Sequence, residues 1–221
     1  RELPDFVARM RWLQRRRPDL TDALVTTHAE GQVVTSLAPL TADRADALLR
    51  RLFDEREFLG PHGIRSLSAA YRGGVTLDVA GVSMSVAYDP GESTTRLFGG
   101  NSNWRGPVWF PINVLLIDGL RGHATAAGGS LQVEYPTGSG STRGLGEAAD
   151  DLEQRLVSLF RPDADGRRPG TPRDHPSGPL WDVHVTFAEY FDGDTGRGCG
   201  ASHQTGWTAL VANLILGIHT T

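Results

Sequence analysis

The sequence predicts a mainly α-helical fold interrupted by one inserted β-hairpin. Three observations carry that prediction. Apolar residues recur at helical spacing, most clearly at Leu145, Ala148, Ala149, Leu152, Leu156 and Leu159. Residues 74–88 switch to a period of two, the mark of a strand pair. Long stretches rich in Gly, Pro and Ser separate the helical segments, and loops of that length in a compact domain usually carry function. With 221 residues, 39% of them hydrophobic, the chain can bury one core, and residues 1–221 are taken as a single domain.

The elements follow in chain order. Phe6, Met10 and Leu13 predict a short amphipathic helix that stops before Pro18. The basic run Arg15, Arg16 and Arg17, with Arg9 and Arg11 before it, reads as a solvated helix face. Thr41 is placed as an N-cap with Asp43 in the first turn, and Ala45, Leu48, Leu49, Leu52 and Phe53 share the following helical face. The chain turns at Gly60-Pro61 and Gly63. Val75, Leu77 and Val79, then Val82, Met84, Val86 and Tyr88, alternate about a tight turn at Ala80-Gly81. Pro107 and Pro111 bracket the next helix start, and Ile112, Leu115, Leu116 and Leu120 supply its apolar face. A Gly/Ser/Thr-rich loop from Gly128 to Gly144 holds a short strand at Leu131 to Tyr135. After the 145–159 stripe, Asp163 to Gly178 reads as an exposed loop. Trp207, Leu210, Val211, Leu214 and Ile218 predict a terminal helix.

Composition excludes several classes. No stretch of about 20 apolar residues is present, so no transmembrane helix or membrane partner is expected. A formal charge of −4 argues against nucleic acid as a partner. No apolar leader is visible, and the single cysteine, Cys199, cannot form an intrachain disulfide, so a reducing, cytoplasmic setting is expected. Cys199 sits between glycines with no adjacent His or Lys, which reads as a passive small residue. The seven His have no zinc-like spacing, and Asp192-Gly193-Asp194 opens like a calcium loop but reaches His203 where a closing Glu is required. Gly138-Ser139-Gly140-Ser141 lacks the Lys of a phosphate loop, and no Gly-x-Ser-x-Gly elbow occurs. No metal and no cofactor are expected.

Two places invite chemistry. The segment from Gly99 to Trp109 sets Trp104, Arg105 and Trp109 among small residues beside a helix start. Trp offers a flat apolar face and a polar edge, Arg a rigid fork of donors, and small neighbours let a ligand approach the backbone. That mixture suits a sugar ring, and equally an aromatic pair pinning a helix N-terminus into a core. Glu189 lies between aromatics just ahead of a Gly-rich turn, placed either to line a pocket mouth as an acid or base or to pair with an Arg.

Three separated segments together resemble glycoside hydrolase family 63, which contains processing α-glucosidases and bacterial relatives such as mannosylglycerate hydrolases. Residues 57–68 look like the family's Phe-x-x-x-x-Gly-Ile-x-Ser-Leu-Ser strip; Asn103-Trp104-Arg105-Gly106-Pro107-Val108-Trp109 is similar to its Trp-Arg-Gly-x-Val-Trp element; and Glu189-Tyr190-Phe191 through Trp207 is similar to its Glu-x-Tyr, Gly-rich turn and Trp-led helix. Order and spacing agree over roughly residues 45–218.

The resemblance implies part of an (α/α) toroid of helical hairpins that hydrolyses α-glucosidic or α-mannosidic bonds with inversion, by one general acid and one general base. It places Glu189 as the base, Trp104, Arg105 and Trp109 along the sugar subsite, Phe58, His62 and Arg65 near the same pocket, and Trp207, which leads the last helix, among the substrate-binding residues. The implied partner is an oligosaccharide or small glycoside. One departure stands out: the family's acid, an Asp in a Trp-Asp-x-Ser-like segment far upstream, has no counterpart, and Trp181-Asp182 is too near Glu189 in sequence to supply it. The chain, which begins at Arg1, is therefore expected to be the C-terminal portion of a catalytic domain, inactive alone and prone to self-association through uncovered helix faces. Two alternatives stay open: a non-catalytic carbohydrate-binding or regulatory module, and a trehalase-like or debranching α-glucosidase.

Overall fold

The computed structural model describes residues 3–21, 24–29, 32–37, 42–95, 102–127, 129, 131–172, 174–176, 178–179 and 183–218. Helices and small antiparallel sheets alternate along it. The helices are α1 (Pro4–Arg16), α2 (Pro18–Thr21), α3 (Ala42–Leu52), α4 (Phe110–Ala126), α5 (Leu145–Ser158), α6 (Thr205–Thr208) and α7 (Val211–Ile215). Among the described residues every sheet has two strands: β1 (Leu24–Ala29) with β2 (Gln32–Leu37), β3 (Leu59–Gly60) with β4 (Gly63–Ile64), β5 (Val75–Val79) with β6 (Val82–Val86), β7 (Gln132–Glu134) with β8 (Thr142–Gly144), and β9 (Tyr190–Phe191) with β10 (Gly198–Cys199). The mainly α expectation is thus met in part, because five hairpins punctuate the helices rather than one.

The core is built by α5, α4 and the short strands. Every residue of the 145–159 stripe is buried, and α4 packs Phe110, Ile117 and Leu120 against it. Gly144 precedes α5, and the Glu147 carboxylate accepts its N–H at 2.8 Å, closing one of the orphan donors of a helix start. Pro111 sits in the first turn of α4, where a missing N–H has no helical partner to lose.

Several faces differ from those the spacing predicted. On α4, Leu120 is buried and Leu116 packs on the core as the spacing predicts, but Ile112 and Leu115 are 44% and 66% exposed, and Phe110, Asn113 and Ile117 complete the buried face. On α3, Leu49 and Leu52 pack on the core while Leu48 is exposed; Phe53, just past the helix end, is fully buried. The terminal helix is two short helices, α6 and α7, and Ile218 lies beyond them, exposed. The α1 helix forms as expected but buries nothing, and its Phe6 and Trp12 are exposed. The 75–86 hairpin has the predicted turn, with positive φ at Ala80 (52°) and Gly81 (79°). The β1–β2 hairpin had no counterpart in the reading of the sequence. The proposed Thr41 cap lies outside the described residues.

Candidate active site

Three chain segments far apart in sequence meet at one junction. Val108 bridges Arg65 on one side and Phe191 on the other, both antiparallel, so the stretch before α4 is laced between the β3–β4 and β9–β10 hairpins. Val108 and Phe191 exchange N–H···O bonds of 2.8 and 3.0 Å, and the Ser66 N–H donates to Pro107 O at 3.0 Å. Asn113, on the first turns of α4, fastens the helix to this lattice. Its Oδ1 accepts the Ile64 N–H at 2.7 Å, and its Nδ2 donates to Ile64 O and Trp109 O, each at 3.0 Å. A buried amide with every polar group satisfied locks a single register. Gly106 is required in the same stretch: its φ is 148°, and a Cβ there would stand 2.6 Å from the Tyr88 ring.

Beside this lattice lies an aromatic column. Trp104 stacks on Trp109 with centroids 3.9 Å apart and planes 2° from parallel; Trp109 stacks on Tyr190 at 4.8 Å; and Trp207 leans on Trp109 at 5.3 Å. Trp109 and Tyr190 are buried, whereas Trp104 and Trp207 keep 38% and 37% exposure. The Trp109 indole N–H donates to Asn103 O at 2.8 Å, so the inner ring is fixed in plane and the outer ring offers a face to solvent.

Glu189 stands at the edge of the column, half-buried. Its Oε1 accepts from Ser102 Oγ at 3.3 Å and its Oε2 from the Ala201 N–H at 3.0 Å, while its own N–H donates to Ala201 O at 2.9 Å. Both donors to the carboxylate are neutral, and among the described residues no ion pair engages it. An ionised carboxylate accepts at about four lone-pair sites, so Glu189 keeps acceptor capacity for a water or a sugar hydroxyl.

The other anticipated site residues have firm places. Arg105 is buried and pairs with Asp89 at 2.8 Å. Arg65, also buried, donates to the carbonyls of Glu55, Glu57 and Leu59 at 2.9–3.2 Å and to Gly193 O at 3.3 Å. Both guanidinium groups are thereby engaged in holding loops together. Phe58 is half-buried against the core. His62 is half-buried with Nδ1 3.3 Å from Ser158 Oγ, and burial, helped by nearby Arg155, pushes its pKa below the ordinary imidazole value. Cys199 is buried, and its thiol is pushed up to about 12, mainly by burial, which keeps it protonated and unreactive. Asp192 Oδ1 accepts the N–H groups of Asp194 and Thr195, and Asp194 pairs with Arg72 at 2.6 Å, so the Asp-Gly-Asp turn is held by its own contacts. Gly99, Gly100, Asn101, Trp181 and Asp182 lie outside the described residues.

Three polar side chains of this region went unread in the sequence: Ser102 and Glu92, which hold the Glu189 hairpin, and Asn113. Only the neighbouring Trp-Arg-Gly motif hinted at Ser102, and the other two carry no spacing signal.

The chain belongs to a glycoside hydrolase family: residues 8–208 match the mannosylglycerate hydrolase MGH1-like glycoside hydrolase domain, in agreement with the family 63 resemblance. It is 45% identical to an uncharacterized protein of Saccharomyces cerevisiae, YMR196W, over 95% of this chain and 20% of that protein. It is 26% identical to a probable mannosyl-oligosaccharide glucosidase of Schizosaccharomyces pombe over 83% of this chain and 16% of that protein. It is 30% identical to the mannosyl-oligosaccharide glucosidase of Saccharomyces cerevisiae over 53% of this chain and 11% of that protein. The chain thus spans about a fifth or less of the length of these relatives.

Proposed function

We propose that this chain is part of an (α/α) toroid and supplies the general-base side of an inverting α-glycosidase site. The substrate is an oligosaccharide or small glycoside with an α-glucosidic or α-mannosidic bond. The observation that supports it most is the Glu189 carboxylate, free of any cation among the described residues and held by Ala201 and by Ser102, two residues before the exposed Trp104. In this scheme Glu189 takes a proton from the attacking water. Trp104 and Trp207 offer apolar faces to the pyranose ring, while Trp109, Arg105, Arg65, Phe58 and His62 keep that wall in place. The general acid comes from outside the 221 residues. Inversion needs the two carboxyl groups about 6.5–9.5 Å apart with the water between base and sugar.

Glu189→Ala in the intact protein, assayed on a panel of α-glucosides and α-mannosides, is expected to lower kcat by about 10³-fold, within the range for a lost general base. NMR of the first-formed product should show the β-anomer. Unchanged turnover would remove Glu189 from the chemistry, and sugar binding without turnover by the unmutated protein would make the chain a binding module.

A further inference from the structure

Glu92 belongs to an exposed loop that neither the family motifs nor the scheme above uses. Its carboxylate nevertheless reaches both arms of the β9–β10 hairpin, at whose base Glu189 lies. Glu92 Oε2 accepts from the Tyr190 hydroxyl at 3.2 Å, and the Gly200 N–H donates to Oε1 and Oε2 at 3.1 and 3.3 Å. Tyr190, the first residue of β9, follows Glu189 directly. Gly200, just past β10, precedes Ala201, whose N–H is a direct donor to Glu189. One carboxylate therefore clasps the residue after the base and the residue before the base's donor.

The clasp is rigid at both ends. Asn103 Nδ2 donates to Asp89 O at 2.7 Å and Gly91 O at 2.9 Å, and the Gly193 N–H donates to Pro90 O at 2.9 Å, so the loop bearing Glu92 is tied to the Trp104 segment and to the β9–β10 turn. At the other end, Gly200 adopts φ 69°, which takes its N–H out of the strand ladder and frees it for Glu92. A Cβ at Gly200 would stand 2.6 Å from the Tyr190 ring and 2.7 Å from Glu189 Oε2, so the turn is packed directly on the base. Burial, reinforced by the Glu92 charge, pushes the Tyr190 hydroxyl above its usual range, so it remains a donor.

We infer that Glu92 is a positioning residue: it acts through the Gly200 N–H and the Tyr190 hydroxyl to hold the Glu189 carboxylate where it meets the attacking water. This inference rests on Glu189 being the base. A misplacement of the order of 1 Å in a reacting group lowers rate by about 10²-fold.

The test uses the intact protein and an α-glycosyl fluoride, whose leaving group needs little acid assistance. Glu92→Ala should lower kcat by about 10²-fold with KM held within about threefold. Glu92→Gln, whose carbonyl oxygen can still accept from both donors, should recover most of that loss. Thermal melts establish that each variant is folded. If Glu92→Ala does not fold, Tyr190→Phe, which cuts one tie, should lower kcat about tenfold at unchanged KM, and an unchanged kcat would overturn the inference. A wild-type kcat in Glu92→Ala, or equal losses in the Ala and Gln variants with KM rising in step, would also overturn it. Turnover that survives Glu189→Ala would remove this inference together with the base assignment. Loss in Glu189→Ala beside a wild-type Glu92→Ala would remove this inference alone.

Discussion

The junction around Val108 and the β5–β6 hairpin are opposites. The hairpin has the clearest strand pattern in the chain, a regular register pairing Val75 with Val86, Leu77 with Met84 and Val79 with Val82, and a turn suited to its twist. Yet Leu77, Val79, Val82 and Met84 are all 52–60% exposed. The strands of the junction are two residues long and carry no period, yet Leu59, Tyr190 and Phe191 are buried almost completely. Alternation makes an apolar face; it does not supply what covers it. Burial at the junction comes from long-range polar fasteners, above all Asn113, Arg65 and Arg105.

Breaking those fasteners should sharpen the contrast. Arg105→Ala leaves Asp89 without its buried partner and should destabilise the chain by about 3–5 kcal/mol, read from urea unfolding by tryptophan fluorescence. A loss below about 1 kcal/mol would mean water replaces the pair. Asn113→Ala strands the Ile64 N–H, a buried donor, and should cost about 1–3 kcal/mol in the same assay. Smaller in effect, Asp194 supports the junction electrostatically. Burial opposes its charge, but hydrogen bonds from Arg72 and Tyr88, with the Arg72 and Arg65 charges, outweigh burial and hold its pKa below the ordinary value. A carboxylate depressed in the fold contributes stability that is complete above its unfolded pKa of about 3.9 and is lost as pH falls through the lower native value. Melting temperature should therefore drop below about pH 4, and Asp194→Asn should flatten that drop; an identical acid limb in the variant would count against the assignment. Smallest of all, Leu77→Thr on the hairpin should change stability by no more than about 0.5 kcal/mol. A much larger loss would show that something covers that face.

The same contrast explains what could be read from residues alone. The α5 stripe was legible because six apolar positions at helical spacing all meet one core. The 75–86 hairpin was legible because Ala80-Gly81 marks its turn. The buried face of α4 was legible only at Leu116 and Leu120, since Asn113 lies on it while Ile112 and Leu115 face outward, reversing the order hydrophobicity alone would give. Trp104 and Glu189 were singled out by residue type and motif. Ser102 and Glu92 were not, because a short polar side chain acquires its role from a partner 87 or 98–108 residues away. The division between Trp104, outward, and Trp109, sealed beneath it, also had no sequence signal.

Two parallel indoles at 3.9 Å form a coupled pair of chromophores. Their transitions mix, and an in-plane rotation of one ring against the other gives the pair a positive and a negative circular-dichroism band that no isolated tryptophan gives. The outer ring is partly exposed, and a change in its surroundings alters the emission of both. The pair is thus an optical gauge of the surroundings of Trp104, without a dye or a label.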